Sequence, residues 1–184
     1  MRKYILCILS GCCLLCIFAY LIWHKNNADI SELYTIVNDK KENFRLCIKS
    51  RRGKVIFNEE YIGEPEIGII YDDTFLVRRG KGDWHSYTFI NVATGLVSGE
   101  FDDISAWNHE KVVYGTYENG IIKIIVREIY DKEKYYLEIL RDYAPVAVPH
   151  HVILNAEFIN DAQLMLEYYV GENMEEVSEV INLY

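Results

Sequence analysis

Lys111-Val112-Val113-Tyr114-Gly115-Thr116-Tyr117-Glu118-Asn119-Gly120-Ile121-Ile122-Lys123-Ile124-Ile125-Val126-Arg127-Glu128-Ile129-Tyr130 decides the fold class. Two runs of β-branched and aromatic residues flank Asn119-Gly120, and both turn residues tolerate the positive φ of a type I′ turn. The stretch therefore predicts a hairpin pairing Lys111 to Tyr117 with Ile121 to Tyr130.

Working outward, the same punctuation recurs from Asn43 to the end of the chain. Turn residues at Arg51-Arg52-Gly53 and at Asp131-Lys132-Glu133-Lys134 predict further hairpins. Later strands are expected over about Tyr135 to Tyr143, Val152 to Ile159, Gln163 to Val170 and Glu175 to Leu183, with Pro145 and Pro149 interrupting between them. In Phe44-Arg45-Leu46-Cys47-Ile48, alternation puts Phe44, Leu46 and Ile48 on one face and Cys47 on the other. Upstream, Ile30, Leu33, Tyr34 and Val37 recur at helical spacing. A short helix over residues 28 to 38 with Asp29 as N-cap is the expectation there.

The amino terminus is of another kind. Tyr4 to Trp23 is a run of 20 residues without a charge, preceded by Arg2-Lys3 and followed by His24-Lys25. At about 1.5 Å rise per residue such a helix spans about 30 Å, the thickness of a bilayer's hydrocarbon core. Its ten Leu, Ile and Phe residues each contribute about −0.3 to −0.6 kcal/mol to insertion. Tyr20 and Trp23 fall at the headgroup level, and the positive charge before the run exceeds that after it, which places the amino terminus in the cytoplasm. This divides the chain into an anchor over residues 1–25, a juxtamembrane linker or short helix over 26–42, and an extracytoplasmic β domain over 43–184. A rival reading rests on Leu9-Ser10-Gly11-Cys12, which resembles the lipobox of bacterial lipoproteins and implies lipidation at Cys12. The apolar run continues to Trp23, and this favours the uncleaved helix.

Of five cysteines, only Cys47 lies beyond the apolar run, so no disulfide can form inside the domain. Charge is lopsided. The chain carries 28 acidic against 19 basic side chains, net −9. Its anchor takes with it Arg2, Lys3 and Lys25 and no acid. After Arg141 there is no Lys or Arg at all, while Glu172, Glu175, Glu176 and Glu179 cluster near the end. Such a field repels nucleic acid and attracts a cationic partner, so these four glutamates are the candidate partner surface.

An aromatic-Asp-Asp element occurs twice, at Tyr71-Asp72-Asp73 and at Phe101-Asp102-Asp103, and the spacing invites a repeat. Around the second copy stand Gly80-Lys81-Gly82-Asp83-Trp84, then Phe89-Ile90-Asn91, Thr94-Gly95 and Phe101-Asp102-Asp103-Ile104. Over about residues 70–125 this order resembles the WG repeats of bacterial β-proteins, with His85 where the repeat has a second Gly. The resemblance implies propeller-like β-hairpins and no catalytic residues.

Catalytic patterns fare poorly. Adjacent acids in a strand point to opposite faces and cannot flank one substrate atom, so the Asp pairs read as turn and strand-start residues that bond backbone amides. His150-His151 has no Cys or His at ligand spacing, and the chain lacks a nucleophile elbow, a zinc-protease helix and a phosphate-cradling loop. No cofactor or metal is expected. The 15 tyrosines suit strands, and Tyr135-Tyr136 and Tyr168-Tyr169 each send one ring to either face; exposed Tyr beside acids suits recognition of a protein or of sugar rings. The expected class is a membrane-anchored, non-catalytic binding module of the cell envelope. The alternative is an immunity-type inhibitor that neutralises a basic toxin; an enzyme of unidentified class comes third.

Overall fold

The computed structural model describes residues 29–40, 42–71, 73–81 and 84–183. They are mostly β, arranged as fourteen antiparallel strands among the described residues: β1 (Tyr34–Lys40), β2 (Asn43–Lys49), β3 (Val55–Ile62), β4 (Glu66–Tyr71), β5 (Thr74–Lys81), β6 (Trp84–Asn91), β7 (Phe101–Asp102), β8 (Ile104–Trp107), β9 (Lys111–Glu118), β10 (Ile121–Glu128), β11 (Tyr136–Ile139), β12 (Ile153–Asn160), β13 (Gln163–Val170) and β14 (Glu175–Asn182). Each of the four sheets is a meander in chain order: β1 to β3, β4 to β7, β8 to β11, and β12 to β14. The expected anchor, residues 4–23, and Cys12 lie outside the described residues. Among the described residues no helix is long and apolar enough to cross a membrane.

The chain separates into two compact units. The first runs to Gly63 and takes in Val92–Gly95; its sheet is β1 to β3. Leu46 and Ile48 are fully buried with Phe57 and Tyr61, while Cys47 on the opposite face is a free thiol. The expected helix over 28 to 38 is corrected here. Asp29 does cap, accepting the Ser31 amide, but only a four-residue 3₁₀ turn, Ile30–Leu33, follows before β1 begins. Tyr34, Thr35, Ile36 and Val37 pair with Ile48, Cys47, Leu46 and Arg45. Their β-branched and aromatic side chains suit the pleat, and the waiting edge of β2 outweighs the weak helical periodicity.

The second unit comprises Glu64–Asn91 and the chain from Leu96 onward, and its middle layer is the sheet β8 to β11. Val112 packs with Leu76, Phe89, Phe101 and Ile129 against the sheet β4 to β7. Its neighbour Val113 joins Ile124, Val126, Leu164, Leu166 and Tyr168 against the sheet β12 to β14. Successive residues of a strand point to opposite faces, so the β9–β10 hairpin is covered on both sides. That explains why it reads as a nearly continuous apolar run and not as an alternating one. Each fully buried Val or Ile there is worth about 1.5–3 kcal/mol of transfer free energy.

Turn chemistry holds the hairpin in register. Glu118 pairs with Ile121 and Lys111 with Glu128, as the Asn-Gly turn predicts. Asn119 and Gly120 have φ of 53° and 78°, both positive as a type I′ turn requires. Strands β12, β13 and β14 fall within a residue of their expected ends, whereas β11 stops at Ile139 and the chain beyond it runs beside β13 as irregular backbone.

A Cβ at position 120 would meet nothing within 4 Å, so substitution of Gly120 tests backbone conformation alone. Gly120→Val is expected to destabilise the second unit by about 1 kcal/mol or more, because a β-branched residue resists φ > 0. Urea denaturation followed by circular dichroism measures it, and an unchanged midpoint would count against the turn.

Candidate functional site

Asp103 is where the chain leaves one sheet for another. Phe101 and Asp102 still pair with Tyr87 and Ser86 of β6, while Ile104 already pairs with Tyr114 of β9. The residue between them adopts φ of 41°, a region that Asp visits more readily than most side chains. Its amide donates to the His85 carbonyl at 2.8 Å. In return its Oδ1 accepts the His85 amide at 2.9 Å.

The other carboxylate oxygen reaches the third sheet. His150 lies in the 3₁₀ turn Pro149–Val152 that leads into β12, and its Nδ1 is 3.2 Å from Asp103 Oδ2. His85 Nδ1 is 3.6 Å from Oδ1. Gly115 of β9 permits this approach, since a Cβ there would lie 2.8 Å from the Pro149 carbonyl oxygen. One carboxylate, its side chain 11% exposed, thus ties together three sheets of the second unit.

Two clefts meet at Asp103 and His150. The first, of about 290 Å³, is bordered by His85, Tyr87, Ser105 and Asn155. The second, of about 270 Å³, is bordered by Trp84, Glu100, Asp102, Tyr114, Tyr117 and Arg127. Trp84 and Tyr117 are about half exposed, at 48% and 45%. Arg127 stacks on Phe101, its guanidinium carbon 4.9 Å from the ring centre. Its Nε and Nη2 are buried without a hydrogen-bond partner among the described residues. Burial pushes the Asp102 carboxyl up, the neighbouring acids Glu100 and Asp103 push it further, and Arg79 opposes them. Glu100 itself is engaged by Arg79 and by the Ser86 hydroxyl. The second cleft therefore holds hydrogen-bond donors and acceptors of both charges beside exposed aromatic faces.

The predicted glutamates are placed differently. Glu172 lies in the turn after β13, and Glu175 and Glu176 open β14, all three exposed. Alternation along β14 sends Glu176 to the face opposite Glu175 and Glu179. Glu179 is drawn inward: Arg141 donates to it twice, at 2.9 and 3.0 Å, and the Tyr168 hydroxyl donates at 2.6 Å. The four acids thus do not form one surface, and Glu179 fastens Arg141 to β14. Tyr168 is buried in the core while Tyr169 is only partly covered, and Tyr136 is 52% exposed.

Sequence reading did not bring the two clefts together, because Trp84, Asp103, Tyr117, Arg127 and His150 come from five separate segments. Signals were nonetheless present: the second aromatic-Asp-Asp element carries Asp103, and His85 stands where the WG pattern has glycine. Among the described residues no group of three His, Cys, Asp or Glu could hold a metal ion. No protein-family model, no curated protein and no solved structure matches the chain.

Two outcomes check this geometry. Asp103→Asn keeps the positive φ and the bond from the His85 amide but puts an NH2 group where an oxygen faces His150, so it should cost less than Asp103→Ala, which loses all three and should cost about 2 kcal/mol in chemical denaturation. The guanidinium of Arg141, aided by the Tyr168 hydroxyl and partly opposed by burial, holds the Glu179 carboxyl below its ordinary range. A depressed carboxylate contributes stability above its unfolded pKa and loses it as pH falls through the folded value. Glu179→Gln should accordingly cost about 1 kcal/mol at pH 7, and wild type and variant should converge as the pH is lowered past about 4. A gap that persists once the carboxyl is protonated in the folded protein as well would mean that shape, not charge, is what Glu179 supplies.

Proposed function

We propose that the chain is a membrane-anchored, extracytoplasmic binding module of the cell envelope, non-catalytic in action. The observation that carries the reading is the pair of clefts at Asp103, the second of which sets half-exposed aromatic rings among acids, a guanidinium and an imidazole. Small-molecule and side-chain recognition sites take this form, a concave apolar surface with a few convergent polar groups. Residues 4–23 serve as a single transmembrane helix with its amino terminus in the cytoplasm; the support is the uncharged run and its basic flank. Successive antiparallel meanders, together with the WG-like residues of β6 to β8, support a propeller-like arrangement of the hairpins. On this reading the partner is a protein or an envelope component, and the acidic field disfavours nucleic acid.

A second reading, an immunity-type inhibitor of a basic toxin, draws support from the exposed Glu172, Glu175 and Glu176 in a segment without Lys or Arg. Rim charges of that kind act chiefly on encounter rate.

Anchoring and partner class are tested on the full chain. It should remain with membranes through a carbonate wash and keep Met1, and protease added from outside should remove the β units; a mature chain beginning at lipidated Cys12 would replace the helix by a lipid. Capture of partners at low and high salt then separates the two functions. Several envelope components retained at high salt support the module, and a single basic protein released by salt supports inhibition.

A further inference from the structure

The second cleft has a chemistry that narrows its ligand. Its charged groups are of both signs: Asp102 is an exposed carboxylate, Glu100 is already satisfied by Arg79 and Ser86, and Arg127 is a stacked guanidinium. A cationic side chain entering here would meet Arg127. An inorganic anion or a phosphate would meet Asp102 and Asp103. A neutral, polyhydroxylated ring meets no repulsion, because each hydroxyl donates to a carboxylate and accepts from a guanidinium or imidazole. Trp84 and Tyr117 supply flat apolar faces against which the C–H face of such a ring can stack.

Size agrees with this choice. At about 270 Å³ the cleft falls just below the ~300–1,000 Å³ typical of drug-sized ligands, enough for one ring. The adjoining cleft, of about 290 Å³, shares Asp103 and His150 with it as lining residues. Two ring-sized depressions sharing a polar wall fit consecutive units of a chain better than one isolated monosaccharide.

We infer that the twin clefts around Asp103 bind two successive sugar units of a neutral glycan, with Trp84 as the stacking platform and Asp102 and Arg127 as the hydroxyl-binding groups. This rests on the binding-module reading and specifies its ligand.

The test uses the full chain in a detergent without a sugar headgroup. Cellobiose, maltose and N,N′-diacetylchitobiose are titrated by calorimetry and by saturation-transfer NMR, with trilysine and inorganic phosphate as charged comparators. At least one disaccharide is expected to bind with a dissociation constant of about 1 mM or tighter, and the comparators are not. Trp84→Ala should weaken that binding at least tenfold, and Asp102→Ala likewise, while the melting temperature of each variant reports that it is folded. Should Trp84→Ala fail to fold, Trp84→Leu keeps bulk without an aromatic face and must show the same loss. Absence of binding by all three disaccharides at about 20 mM, indifference to both substitutions, or Trp84-dependent binding of trilysine or phosphate would overturn the inference. Partner capture that succeeds while sugars fail removes the glycan site and leaves the binding module standing.

Discussion

A hairpin that is apolar on both faces cannot stand at a surface. Val112 and Val113, next to each other in β9 and both without solvent exposure, demand a cover on either side of the sheet β8 to β11. The rest of the second unit follows from that demand. The sheet β4 to β7 supplies Leu76, Phe89 and Phe101 to one face, and the sheet β12 to β14 supplies Leu164, Leu166 and Tyr168 to the other. Those outer sheets need only one apolar face each, and β13 accordingly alternates between buried Leu164, Leu166 and Tyr168 and less buried residues between them. Were either cover lost, several valines and isoleucines would return to water at about 1.5–3 kcal/mol apiece, a large share of a domain's net stability.

Layering also creates the problem that Asp103 solves. A chain passing from one sheet to the next must turn sharply and must leave backbone groups satisfied where no strand pairing is possible. Asp103 does both, turning with positive φ and exchanging hydrogen bonds with the backbone of His85. Its second oxygen then faces His150, so the turn from the first of these sheets to the second is fastened to the entry of the third. Clefts arise at this crossing because sheets that twist away from a common edge leave space between them, and the space is lined by whatever the crossing segments carry.

How much of this was legible depended on whether the information was local. Asn119-Gly120 fixed its hairpin because the φ requirement of a type I′ turn is a property of two residues. Strands β12 to β14 were bounded by turn residues a few positions apart. Residues 28 to 38 misled because helical spacing and β-branched content coexist there, and only the edge of β2, which the local pattern does not contain, decides between them. Glu179 was grouped with Glu172, Glu175 and Glu176 by composition; its pairing with Arg141, 38 positions away, is a tertiary fact. The clefts were least legible of all, since their walls come from β6, β7, β8, β9, β10, the turn before β12 and β12 itself.

One polar group of the second cleft, Arg127, is poorly satisfied, and this is itself informative. Structures ordinarily pair buried donors and compensate buried charges, because an orphan costs about 1–3 kcal/mol. Here Arg127 keeps two buried nitrogens without partners among the described residues. Stacking on Phe101 offsets part of that cost but leaves the two nitrogens unpaired, a local rule broken in the way that positions with a role besides stability break it. Arg127 and the exposed Asp102 border the same cleft as the half-exposed Trp84, so groups of both charges and unburied aromatic surface converge on one volume.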